Sequence, residues 1–112
     1  MAVYVANLVI NCGSDFYQTF NLTNSEGDTS FNLTNYTIAA KIKKHSASSS
    51  STSFTASITN AANGTIALSL NSTQTAALKP GRHIYDIVVT SQAGYKTRVI
   101  EGNVLVREGV TT

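Results

Sequence analysis

Apolar and polar residues alternate along most of this chain with a period of two. Tyr36, Ile38, Ala40 and Ile42 alternate with Thr37, Ala39, Lys41 and Lys43. Phe16, Gln18, Phe20 and Leu22 fall on one side and Asp15, Tyr17, Thr19 and Asn21 on the other, with Gln18 the one polar intruder. Successive strand side chains point to opposite faces, so each such run predicts a strand with one buried face. The same signal predicts seven strands, over residues 2–10, 14–22, 36–44, 53–59, 65–70, 82–90 and 95–107. Val3, Val5, Leu8 and Ile10 carry the first, and its alternation falters at Ala6-Asn7, which predicts a bulge. Gly102, inside the last strand, predicts a bulge or a close backbone approach.

The connectors carry turn chemistry. Asn63-Gly64 and Pro80-Gly81 are turn dipeptides, and Gly94 supplies the positive φ that the hairpin tip Ser91–Gly94 needs. Asn35 stands where a left-handed residue is useful. Residues 72–78 are the only helical candidate, capped by Asn71 or Ser72 and stopped by Pro80-Gly81. Residues 23–30 read as a loop. The Ser-rich stretch 45–53 reads as an exposed loop that orders only in an assembly, and 108–112 as a tether-like tail. The expectation is one domain over 1–112: all-β, an immunoglobulin-like antiparallel β-sandwich of about seven strands with one short helical turn. It lacks the Cys…Trp…Cys pattern of antibody domains. The expected core is Val5, Leu8, Ile10, Phe16, Phe20, Tyr36, Ile38, Ile42, Ile58, Ile66, Leu68, Leu78, Tyr85, Ile87, Val89, Val104 and Val106.

Composition shifts this picture toward contact and away from chemistry. Only 12% of residues are charged, about half the usual share. Ser, Thr and Asn provide the solubility, and hydroxyls and amides cost less to desolvate than charges. Such a surface suits protein contact. Net charge is +2, with the basic residues scattered along the chain; Lys41, Lys43 and Lys44 form the only cluster. Lys41 and Lys43 would share a strand face, read as solvated, and no aromatic interleaves them, so no nucleic-acid partner is expected. No apolar run reaches ~18 residues, so no membrane span is expected. The start carries no charged segment ahead of an apolar run, so no secretory leader is expected. Cys12 is the only cysteine and reads as a small buried or half-buried thiol.

No catalytic, cofactor-binding or metal-binding residues can be assigned. The carboxylates of Asp15, Glu26, Asp28, Asp86, Glu101 and Glu108 show no acid–base spacing. Asp86 and Arg98 lie on consecutive strands and are expected to pair across the hairpin. His45 and His83 are far apart, with no Cys or carboxylate at ligand spacing. His83 is expected to cap a strand edge beside Tyr85. Tyr85 enters the penultimate strand after a helical turn, where a sandwich often places a tyrosine whose hydroxyl bonds back to the corner. A small enzyme is therefore the least supported class.

Three segments resemble a class of small virion proteins and adaptor modules of tailed bacteriophages. The first is Gly13-Ser14-Asp15-Phe16-Tyr17-Gln18-Thr19-Phe20, against a family pattern of Gly and two spaced Phe. The second is Asn32-Leu33-Thr34-Asn35-Tyr36-Thr37, with Asn35 where the family has Gly. The third joins Leu78, Gly81, Tyr85-Asp86-Ile87 and Gly94 to Ile100-Glu101-Gly102-Asn103-Val104-Leu105-Val106 and Val110-Thr111, with His83 where an aromatic usually precedes Tyr85. The chain is similar in outline to the immunoglobulin-like N-terminal domain of phage baseplate upper proteins. The resemblance implies a structural, non-enzymatic virion protein of the tail or baseplate, neck or capsid. It further implies virion proteins as partners, a homo-oligomer or place in a symmetric assembly, and residence in the particle after synthesis in the bacterial cytoplasm. The alternative is a carbohydrate- or host-surface-binding module, for which Tyr4, Tyr17 and Tyr95 are the candidate contacts.

Overall fold

The structure is a computed structural model that describes residues 4–22, 32–44 and 51–109. Its elements are β1 (Tyr4–Val5), β2 (Leu8–Asn11), β3 (Phe16–Asn21), β4 (Thr37–Lys43), β5 (Thr52–Ser53), β6 (Thr55–Asn60), β7 (Thr65–Leu70), α1 (Ser72–Ala76), β8 (Gly81–Thr90) and β9 (Lys96–Arg107). Val3, His45, the loop 23–30, residues 45–50 of the Ser-rich stretch and 110–112 of the tail lie outside the described residues, as does the Tyr4 side chain.

The seven sequence-predicted strands are present, the first and fourth each divided in two. Two sheets pack as an all-β sandwich. The larger has the order β1-β9-β8-β4-β5, with β2 also on β9; the smaller is β3-β7-β6. This sets the second and fifth strands and the longer part of the fourth against the third, sixth and seventh, the immunoglobulin-like division. The fourth strand changes sheets at Phe54: β5 pairs with β4, whereas β6 pairs with β7. Thr52, expected in the Ser-rich loop, and Ser53, expected at its junction with the fourth strand, therefore form a short edge strand. The first strand joins the larger sheet in parallel with β9, the only parallel pairing among the described strands. Its partner lies at the far end of the chain, so no hairpin forces an antiparallel direction.

Alternation turns directly into burial. Along β8, His83, Tyr85, Ile87 and Val89 point inward; on β2 it is Leu8 and Ile10, and on β9 Val104 and Val106. Phe16, Phe20, Tyr36, Ile38 and Ile58 pack partly buried around that centre. Leu22, Leu33, Phe54, Leu70, Val99 and Ile100 join the core without having been expected there. Val99 and Ile100 are consecutive yet both buried, because the β8–β9 register shifts between Ile87 and Val88. Phe54 is 6.0 Å from the Phe16 ring and 6.2 Å, edge-on, from Tyr85, an aromatic link from one sheet to the other.

Val5 is the core assignment the structure overturns; it is 74% exposed. The reason lies in the break at Ala6-Asn7, which inserts no residue. Val5 pairs with Glu101 and Leu8 with Val104, the same offset on both sides, so parity runs straight through and places Val5 on the face of Val9. The Ala6 amide donates to the Glu101 carbonyl at 2.9 Å, and the Asn7 side-chain oxygen accepts the Asn103 amide at 3.1 Å. A Cβ on Gly102 would collide with the Ala6 carbonyl oxygen and lie 2.8 Å from its carbon. The close approach expected of Gly102 is thus the seat of the kink.

Helix α1 is one turn held from several sides. Asn71 caps it, with Gln74 completing a reciprocal box. Asp15 accepts the Ser72 amide at 2.8 Å from the β2–β3 turn. The fully buried Thr75 hydroxyl accepts the Gly13 amide at 3.0 Å and donates to the Ser14 carbonyl at 2.8 Å. Cys12, half-buried, directs its thiol at the Leu78 carbonyl, 3.6 Å away.

Candidate docking faces

Each sheet presents its polar phase outward, and the two outer faces differ. On the smaller sheet the outward residues are Tyr17 and Thr19 on β3, Thr55, Ser57 and Thr59 on β6, and Thr65 and Ser69 on β7. None of its three strands contains a charged residue. On the larger sheet the outward phases carry Lys41, Lys43, Arg82, Lys96, Arg98 and Arg107, six of the eight basic residues in the chain. They face two carboxylates, Asp86 and Glu101, leaving four positive charges in excess on one side of a chain whose net charge is +2.

Register sets the layout. One row across the larger sheet reads Lys41, Asp86, Glu101, Val5; the next reads Lys43, Ile84, Asn103; a third reads Arg82, Leu105, Val9. Val5, Val9 and Leu105 are all exposed, at 74%, 51% and 46%. A shallow groove of about 550 Å³ runs over Ile84 and Asn103, with the two lysines on one wall and Val5 at the other. Arg98 bridges the carboxylates, 3.3 Å from Asp86 and 3.8 Å from Glu101, as the sequence predicts for Asp86. These groups are half exposed, so the pair steadies the face more than it stabilises the fold. Among the described residues no ion pair engages Lys41, Lys43 or Arg82.

The sequence treated the basic residues as scattered, and along the chain they are. The strand order gathers them, because β4, β8 and β9 are neighbours and their polar phases all point out. The readable half of the signal was the absence of charge from 53–59 and 65–70.

The histidine near the corner takes the role expected of the tyrosine, and the tyrosine takes another. His83 caps no edge. It is buried, and its Nε2–H donates to the Lys79 carbonyl at 2.7 Å, the bond back to the corner. Tyr85, two residues further along the same inward phase, reaches the first strand instead and donates its hydroxyl to the Ala6 carbonyl at 2.6 Å. Burial pushes its phenol from 10.0 up to about 12. The exposed tyrosines do not converge: Tyr17 lies on the smaller sheet and Tyr95 beside the β8–β9 tip.

Among the described residues no group of three His, Cys, Asp or Glu is placed to hold a metal ion, and no helix is long and apolar enough to cross a membrane. No protein-family model matches the sequence, and no curated protein matches it.

Proposed function

We propose that this chain is a structural subunit of a tailed-phage virion, a non-enzymatic docking module of the tail or baseplate, neck or capsid. One observation carries the reading: a small sandwich with two open faces of different character, one cationic with exposed valines and leucine, the other built of strands without a charged residue. Such a module has separate surfaces for two chemically different neighbours, as a subunit bridging other components of a particle requires. The three phage-like segments support the same reading. The last of them holds Gly102 and Tyr85, which shape the floor of the groove. Other virion proteins, and further copies of the chain, are the partners it implies.

The test is mass spectrometry of intact, purified particles from the phage that encodes the chain. Its peptides are expected there in fixed stoichiometry to the other structural proteins; particles that lack them overturn the proposal.

Carbohydrate binding is the second reading, favoured by the exposure of Tyr17 and Tyr95, at 66% and 76%. Stacking on a sugar needs such rings, but these two stand apart. A glycan array without binding removes it.

A further inference from the structure

We propose that the outer face of the larger sheet takes an acidic protein segment whose carboxylates alternate with apolar side chains. This rests on the docking reading above and adds which face binds and what chemistry it selects.

Charge is the first reason. Lys41 and Lys43 rim the groove, and Arg82 stands in the next row beside Leu105, all three without ion pairs among the described residues, while Arg98 already neutralises much of the central carboxylate charge. A partner with carboxylates opposite the lysines gains attraction and a faster encounter. Apolar surface is the second. Val9 and Leu105 are cross-strand neighbours, both about half exposed, and Ile84 lies half-buried between Lys43 and Asn103. Their burial is rewarded only by a partner that brings hydrocarbon of its own.

The same features disfavour a nucleic acid. Asp86 and Glu101 sit in the middle of the face, where a phosphate backbone would cross them. No aromatic side chain stands among the outward residues of β4, β8 and β9 to stack on a base. A second copy of the chain meeting this face with its own is disfavoured too, because two such cationic faces repel, and the smaller sheet of a second copy has no strand carboxylate to offer the lysines.

Isotope-labelled protein titrated with a short synthetic peptide of alternating Glu and Val tests this, beside a charge-matched Glu/Ser peptide and a short DNA duplex. The Glu/Val peptide is expected to shift the amide resonances of Lys41, Lys43, Ile84, Asn103 and Leu105. It should bind about tenfold more tightly than the Glu/Ser peptide, and lose affinity as salt rises from about 0.05 M to about 0.3 M. The double variant K41E/K43E, with its fold checked by the same spectra, should weaken binding by about tenfold or more, while T19K/S57K on the smaller sheet leaves it unchanged. No shifts, shifts confined to β3, β6 and β7, or equal binding of the Glu/Ser peptide or the duplex overturn the inference. Particle incorporation separates the two failures. If K41E/K43E enters particles normally and T19K/S57K does not, docking stands and this face is wrong; a wild-type chain absent from particles defeats the functional reading itself.

Discussion

The Tyr85 hydroxyl donates a 2.6 Å hydrogen bond to the Ala6 carbonyl, joining the centre of β8 to the kink in the first strand across 79 positions of sequence. The fold keeps this phenol neutral, and burial raises its pKa from 10.0 to about 12. A raised value means that the folded protein holds the proton more tightly than the unfolded chain does. The resulting stability is complete below about pH 10 and drains away as pH climbs through about 12, by at most about 3 kcal/mol. Tyr85→Phe is expected to cost about 1–2 kcal/mol near neutrality and to flatten that alkaline loss. Urea unfolding of both proteins between about pH 8 and about pH 12 measures it; parallel curves would show that Tyr85 does not carry the dependence.

Gly102→Ala should be the most damaging single methyl in the described structure. The added carbon meets the Ala6 carbonyl, a backbone group held by the Ala6–Glu101 and Tyr85–Ala6 bonds, so neither side yields easily. A loss of about 3 kcal/mol or more is expected in chemical denaturation. A change under about 1 kcal/mol would mean that the first strand moves away freely.

Thr75 offers a comparison of shape with hydrogen bonding. Thr75→Val fills the same space but leaves the Gly13 amide and Ser14 carbonyl without their partner, at an expected cost of about 1–3 kcal/mol. Thr75→Ser keeps the hydroxyl and loses one buried methyl, about 1 kcal/mol. Hydrogen exchange at Gly13 should accelerate in the valine variant alone. Equal behaviour of the two would place the contribution in packing.

Arg98→Ala is expected to change stability by less than about 0.5 kcal/mol, since both of its ion pairs are solvent-exposed. Thermal unfolding at low and high salt checks this. A loss above about 1 kcal/mol would show that the carboxylates it bridges strain the sheet without it.

Local features were legible because local forces set them. Asn35 does adopt a left-handed φ of 66°, and Gly94 turns the hairpin tip at φ 93°, each as its side chain, or lack of one, permits. The Asn71 cap lies within one turn of its partner Gln74. Leu22 and Leu33 escaped the core list although they are fully buried. Leu22 lies on the predicted inward phase but at its last position, beside the predicted loop 23–30, and Leu33 lies in a connector with no alternation to mark it.

Alternation of side chains by itself determined the strands, the sandwich and most of the buried set, because burying one face of a pleated strand is a requirement each segment meets on its own. Only the tertiary structure decided that the first strand runs parallel to the last, that His83 and not Tyr85 bonds back to the corner, that Val5 faces solvent, and that six basic residues meet on one outer face. Those outcomes depend on which strands become neighbours and in what register. Long-range packing sets both, and no single stretch of the chain encodes it.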